Sequence, residues 1–278
     1  MSITLKIGQF FSGIPLPNGL PGASTASLPP PVASPALAGA TANNAVPSSG
    51  KMNEMVLRIT IPVVINSFEQ VSFLNPMIAQ LRSAGFRNLL VIDQNSAYEP
   101  LVAFLNEGAK TRQFNHLKVS ANLGSRWFFS QDLLASMPEL FIYTDPDLRW
   151  PNGIAKDMVG RFIALSEKYK VSKVGSALIL PDENSERAGS GDRGKMAVRQ
   201  REEQFWRDQV EPDVYKAPVN TTWHLVNKKY FTPFNFVTGL RVGGAGYECK
   251  HLPWYEEERA KAPEYERYLS ISKLSTFK

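Results

Sequence analysis

Apolar and polar positions alternate in short blocks from residue 56 onward, and the period of the alternation changes in a regular order. Val56 to Val64, VLRITIPVV, is rich in β-branched residues and predicts a first strand, closed by the polar INSFEQ. NPMIAQLRSAG follows as a helix: Asn75 can cap it, Pro76 fits its first turn, Met77, Ile78 and Leu81 share a face, and Gly85 stops it. Asn88 to Asp93, NLLVID, predicts a second strand ending on an acid, and YEPLVAFLNEG a second helix. His116 to Ser120, HLKVS, is a third strand, followed by the loop ANLG and a helix over SRWFFSQDLLASM; ELFIYTD makes a fourth strand. Strand then helix, repeated at this spacing, is the pattern of βα units on a parallel sheet.

After Asp147 a helix over NGIAKDMVGRFIALSEKY and a strand from Lys170 to Leu180 continue the alternation, which then ends. Pro181 to Lys195, PDENSERAGSGDRGK, is charged and Gly-rich and reads as a mobile surface loop; loops of this length beside α/β sites can act as lids. A helix around REEQFWRDQ, a hairpin from VYKAPVN and TWHLVNK, and charged helices over YEEERAKAPEYERYLSISK complete the chain. The expected fold is α/β: a mostly parallel central sheet with flanking helices and a mixed C-terminal half.

Composition shortens the folded part. Residues 1–50 hold eight Pro, eight Ala, seven Ser and six Gly with Lys6 as their only charge, so they have little to bury and read as a disordered tail or linker. Residues 51–278 then form a single domain with two halves, 51–150 and 151–278. No apolar stretch of the tail is long enough to cross a bilayer. The net charge of +5 suits an anionic ligand or weak contact with anionic lipid and falls short of a nucleic-acid surface. A single cysteine, Cys249, excludes an intrachain disulfide and a Cys-rich metal knuckle, and points to a reducing, cytoplasmic setting.

In parallel sheets ligands gather beyond the carboxyl ends of the strands. Asn66, Asp93 with Asn95, Asn122 with Gly124, and Asp145 with Asp147 follow the four predicted strands in turn, so four loops carry polar groups to one rim. The first loop, NSFEQVSFLN, has no glycine and therefore lacks the dinucleotide fingerprint; P-loop and G-x-S-x-G motifs are absent as well. Asp145-Pro146-Asp147 remains. Two hard carboxylates one residue apart can hold Mg²⁺ or Mn²⁺ with a diphosphate, and they can equally be a solvated turn that breaks the strand.

Taken in order, VVINSFEQ, VIDQNS, ANLGSRW and IYTDPDL resemble a glycosyltransferase of the GT-A fold, close to the family-2-like enzymes of bacterial capsule or lipopolysaccharide assembly. The resemblance covers roughly Arg58 to Tyr255. It implies transfer of a sugar from a nucleoside diphosphate sugar, most simply a UDP-sugar, to a polysaccharide or lipid-linked acceptor. It places Asn66, Asp93, Asn95 and Ser96 at the nucleobase and ribose, Asn122, Gly124 and Arg126 near the nucleotide sugar and its diphosphate, and Asp145 and Asp147 on ribose, metal and diphosphate. APVNTTWHL and KHLPWY resemble a subgroup in which the first stretch more often reads Asp-Thr-Thr; Asn220 departs from it, and an amide cannot serve as a general base.

The same resemblance gives His251 to the metal, which would favour Mn²⁺ over the oxygen-seeking Mg²⁺. His224 and His116 read as structural. Trp254, Tyr255 and Trp127 are candidates for stacking on sugar rings. For an inverting reaction the base is sought among Asp208, Glu211, Asp213 and Glu248, and Asp213 is chosen because EPDVY leads into the APVNTT stretch. Lipid-linked acceptors would bring the protein to the inner face of the membrane. The alternatives are a non-catalytic sugar-nucleotide or glycan-binding adaptor and a sugar nucleotidyltransferase, whose Gly-rich phosphate loop is missing.

Overall fold

The computed structural model describes residues 53–129, 131–181, 198–232 and 237–272. The N-terminal tail and the charged loop beyond Pro181 lie outside the described residues. One nine-stranded sheet, in the order β3-β2-β1-β4-β9-β6-β10-β8-β7, runs through both halves of the chain. Its strands are β1 (Val63–Ser67), β2 (Leu89–Asp93), β3 (Asn115–Lys118), β4 (Leu140–Thr144), β6 (Lys173–Ser176), β7 (Gln209–Glu211), β8 (Val214–Pro218), β9 (His224–Asn227) and β10 (Thr238–Val242). β8 and β9 run against the other seven. A two-stranded antiparallel ladder, β5 (Leu148–Arg149) with β11 (Lys250–His251), stands apart from it.

Alternation along the strands divides the core. Val63 and Ile65 of β1 pack with the helices α1 (Glu54–Thr60), α2 (Val71–Ser83), α3 (Glu99–Lys110) and α5 (Met158–Tyr169), through Leu57, Leu74, Leu101 and Phe162. Val64 faces the other way, with Phe128, Phe141 and Leu133 of the short helix α4 (Gln131–Ser136). A smaller cluster, Phe73, Leu252, Ala262 and Tyr265, holds the C-terminal helices α7 (Glu256–Arg259) and α8 (Tyr265–Ile271) against α2. Among the described residues no helix is long and apolar enough to cross a membrane.

Three expectations need correction. The predicted first strand is a helix over its first half: Asn53 caps α1 by accepting from Met55 N, and Arg58 reaches back to Glu54 at 2.8 Å. Glu54 also accepts from the N-terminal amides Val159 and Gly160 of α5, so local capping and a tertiary contact override the β-branched composition, and the strand begins at Val63. α2 starts at Val71, four residues before the expected cap Asn75, and contains Pro76 inside it. The amide and hydroxyl of Ser72 donate to Glu264, 192 residues away, and this contact sets the helix start. Third, β8 and β9 do not form a hairpin: β10 and β6 lie between them.

The link between those strands, Val219 to Trp223, therefore crosses the sheet. Glycines make the crossing feasible. A Cβ on Gly175 would lie 2.6 Å from the Trp223 carbonyl oxygen, and one on Gly239 3.0 Å from a Val219 methyl. Lys173, buried, donates to the carbonyls of Val219 and Asn220 at 3.4 and 3.2 Å. Gly175→Ala is expected to cost about 2–3 kcal/mol in urea unfolding, because the blocking atom is backbone and cannot swing aside; a loss under about 0.5 kcal/mol would contradict the tight crossing.

Candidate functional site

β4 is buried along its whole length, and the chain leaves its carboxyl end through Asp145, Pro146 and Asp147 before β5. The crossing segment meets this turn. Asp145 N donates to the Thr221 carbonyl at 3.0 Å, and the Thr221 hydroxyl donates to Asp145 Oδ2 at 2.5 Å. Asp147 is fixed from the other side: Leu252 N donates to its carbonyl at 2.8 Å, and the β5–β11 register pairs Leu148 with His251. That register brings His251 Nε2 to 3.5 Å from Asp147 Oδ1. Trp254 packs on the imidazole with ring centres 4.8 Å apart.

Burial dominates the charge state here. Asp145 has its pKa raised well above the usual carboxylate value, by loss of solvent first and by the charge of Asp147 second, with the Thr221 hydroxyl opposing. Burial raises Asp147 to about 7 and lowers His251 to about 4. The imidazole is thus neutral at physiological pH and offers a lone pair. Asp147 Oδ1 is buried without a hydrogen bond.

These features fit a divalent cation. Two donor atoms each about 2.1 Å from one ion at a tetrahedral-to-octahedral angle lie roughly 3.0–3.4 Å apart, and the Asp147–His251 separation of 3.5 Å is close to that. No group of three or more His, Cys, Asp and Glu side chains with metal-holding geometry occurs among the described residues. The remaining positions on an ion would fall to oxygens of a bound ligand or water.

The pair opens into a cleft of about 440 Å³. Of the residues singled out from sequence, Asn66, Asn122, Gly124, Arg126, Asp145, Asp147 and His251 line it. Gly124 takes a positive φ of 79° and donates to Asn122 Oδ1 at 3.1 Å, a turn that carries the chain back toward Arg126. Arg126 donates twice to Asn220 Oδ1, at 3.3 and 3.1 Å, so the amide that departs from the Asp-Thr-Thr pattern orients a cation across the cleft.

Asp93, Asn95 and Ser96 are not among the lining residues. Asp93 is 1% exposed; Oδ1 accepts from Ser96 N, and Oδ2 lies 3.9 Å from His116 and 4.0 Å from Lys118. Its carboxylate is engaged in its own loop. Ser96 Oγ accepts from Glu69 N, while Asn95 is exposed in a left-handed turn, φ 64°. Asp213 is also away from the cleft. It occupies the β7–β8 turn at φ 60°, its carboxylate beside Gly244, and Pro218, which does line the cleft, follows five residues later, roughly 16 Å along an extended chain. Trp127 and Tyr255 are likewise absent from the lining, whereas Trp254 is present; the half-buried Trp127 packs on Phe128, and the buried Tyr255 donates to the Ile179 carbonyl. His224 is buried beside Phe129, with Nδ1 2.5 Å from the Thr222 carbonyl, a structural setting.

The structure adds residues that periodicity passed over. Gln94, buried, bridges two loops by donating to Asn66 Oδ1 at 2.6 Å and accepting from Leu123 N at 2.8 Å. Glu202 of α6 (Val198–Glu203) lies on the cleft wall in a buried pair with Arg241, at 2.7 Å, and Phe205 covers that guanidinium. Thr221 was visible only as part of the NTT stretch. Pairings across 39 and 76 residues leave no local signal.

No protein-family model matches the sequence, and no curated protein sequence matches it. Among solved structures, the chain is similar to GalNAc-T7 with UDP, GalNAc and Mn²⁺: 14% identity over 69% of this chain and 44% of that one, TM-score 0.44. It is also similar to the mannosyltransferase PcManGT from Pyrobaculum calidifontis in complex with GDP-Man and Mn²⁺, at 10% identity over 77% and 65% of the two chains, TM-score 0.42. A third, S. aureus TarS, gives 12% over 60% and 28%, TM-score 0.36. The chain spans less than two thirds of each. Likenesses this distant carry no argument about activity, which rests on the geometry above.

The buried acids set a pH dependence. Asp147 ionises near pH 7 when folded and near 3.9 when unfolded, so over that window the folded state holds an extra proton and stability falls as pH rises; Asp145 acts in the same sense. His251 acts oppositely between about 4 and its unfolded value, near 6.5, so above about pH 6.5 the fall in stability with pH is unopposed by it. Asp147→Asn is expected to raise the urea-unfolding free energy at pH 7.5 without added metal, by about 2–4 kcal/mol. A variant no more stable than the parent there would contradict the buried-charge reading.

Proposed function

We propose that the protein is a metal-dependent glycosyltransferase of the GT-A type, moving a sugar from a nucleoside diphosphate sugar to an acceptor hydroxyl. The observation that carries this reading is the buried Asp147–His251 contact in a cleft that Asp145 and Arg126 also line. Two desolvated carboxylates and a neutral imidazole favour a dication, and Arg126 presents the fork of donors that suits a diphosphate. A bound Mn²⁺ would neutralise charge on the departing diphosphate.

Within that reading the chain's own groups divide the work. Asp147 and His251 hold the ion, and Asp145, aimed by Thr221, meets the ribose or shares the ion. Arg126 binds the diphosphate as the bond from the sugar carbon to phosphate oxygen breaks and its electron pair leaves with the phosphate. For an inverting transfer the acceptor proton needs a carboxylate. Asp213 does not line the cleft, and Glu202, which does, is held between Arg241 and Arg201 and is disfavoured as a base by those pairings. Similarity of APVNTTWHL and KHLPWY to capsule and lipopolysaccharide transferases supports a polysaccharide or lipid-linked acceptor, a UDP-sugar donor and a place at the inner face of the membrane.

The test is thermal unfolding with UDP, GDP and their sugars, with and without Mn²⁺. A nucleotide at 100 times its Kd stabilises the fold by about 2.7 kcal/mol. The shift is expected to require Mn²⁺ and to vanish in Asp147→Ala, together with a roughly 10³-fold loss of sugar transfer or donor hydrolysis. Binding that survives Asp147→Ala with no turnover in the parent protein would favour the adaptor instead.

A further inference from the structure

Resting on that reading, we propose that Asn220 is a positioning residue for the diphosphate: it holds Arg126 with a neutral acceptor, so that the guanidinium is fixed without losing its charge. Arg126 Nε and Nη2 both donate to the one side-chain oxygen of Asn220, at 3.3 and 3.1 Å. Both residues are exposed and line the cleft, so a bound anion can reach the guanidinium that the amide aims. A carboxylate at the same spot would accept the same two bonds and cancel the charge that they orient. An amide oxygen has no net charge to give. The cation is felt at Lys173, whose proton affinity falls by burial first and by the Arg126 charge second.

Asn220 stands between two anchored neighbours. Val219 N donates to the Val237 carbonyl at 2.7 Å, and Lys173 donates to the Val219 and Asn220 carbonyls at 3.4 and 3.2 Å. On the other side the Thr221 hydroxyl donates to Asp145 Oδ2, and the Thr221 carbonyl accepts from Asp145 N. Arg126 is anchored as well, because the Tyr143 hydroxyl of β4 donates to the carbonyl of Ser125. Both partners of the contact therefore have backbone tied to the central sheet. The Val219–Thr221 segment sets Arg126 through Asn220 and Asp145 through Thr221, which gives the cation and the acid one common frame. Asn220 thus serves the leaving-group side of the reaction and not the acceptor proton, which an amide cannot take.

The experiment measures calorimetric binding of pyrophosphate, UDP and GDP, each with Mn²⁺, in the parent protein, Asn220→Ala and Asn220→Asp. Asn220→Ala lets Arg126 rotate and is expected to weaken pyrophosphate and the better nucleotide about fivefold, the order of the freedom one long side chain regains. Asn220→Asp keeps the shape and both hydrogen bonds, yet is expected to weaken them about thirtyfold, because the new carboxylate neutralises Arg126 and repels the phosphates. A merely structural Asn220 predicts the reverse order, with the isosteric Asp closer to the parent than Ala. The melting temperature of Asn220→Asp without ligand should match or exceed the parent's, since an ion pair replaces a neutral contact, which separates lost binding from lost folding. If Asn220→Asp binds these anions as tightly as the parent, or more tightly than Asn220→Ala does, the proposal is overturned and the transferase reading stands. If the parent binds neither nucleotide nor pyrophosphate, the transferase reading itself fails and the proposal with it.

Discussion

The candidate site turns on holding two carboxylates two residues apart at the end of a central strand, Asp147 buried and Asp145 half-buried. Loss of solvent raises the proton affinity of both, and the charge of Asp147 raises that of Asp145 further, so both are pushed toward the protonated form. A protein does not keep such a pair for stability. The neutral imidazole of His251 beside it removes the alternative of an internal salt bridge, and the proposed divalent cation would offset the cost of the pair.

Holding the pair requires chain from far away on both sides. Thr221 arrives on the segment that crosses the sheet over Gly175 and Gly239, and Lys173 fixes that segment through two backbone carbonyls. Burial lowers the Lys173 pKa to about 7, with Arg126 adding to the effect, so the crossing is pinned by a donor that gives up its charge readily. His251 arrives on β11, a ladder of two residues whose register alone decides whether the imidazole reaches Asp147. The β4 turn, the crossing segment and β11 are therefore one device, and a shift in any of them displaces the acids.

Much of this could be read from sequence where the signal is local. β2 and β4 follow from continuous apolar runs and α3 from the YEPLVAFLNEG stretch, and Asp-Pro-Asp announced the end of β4. The errors share a cause. The β-branched start of α1, the early start of α2 and the separation of β8 from β9 are each decided by contacts with residues tens to hundreds of positions away, through Glu54, Glu264 and the inserted β6 and β10. Site residues behaved alike. Asp145, Asp147 and His251, singled out by motif and resemblance, line one cleft. Asp93 and Asp213 do not line that cleft, Asp93 being engaged by Ser96, His116 and Lys118, and Gln94, lying between two residues that had been singled out, carries the bonds that join the first three loops.

The central claim is that Asp147 and His251 share one divalent ion. A crystal structure of the protein with Mn²⁺ and a nucleoside diphosphate, measured at the manganese absorption edge, locates the ion by its anomalous signal. The account predicts a single strong peak about 2 Å from both an Asp147 oxygen and His251 Nε2, with phosphate oxygens completing its coordination. A peak bound elsewhere, or nucleotide in the cleft with no manganese at these two residues, would contradict it.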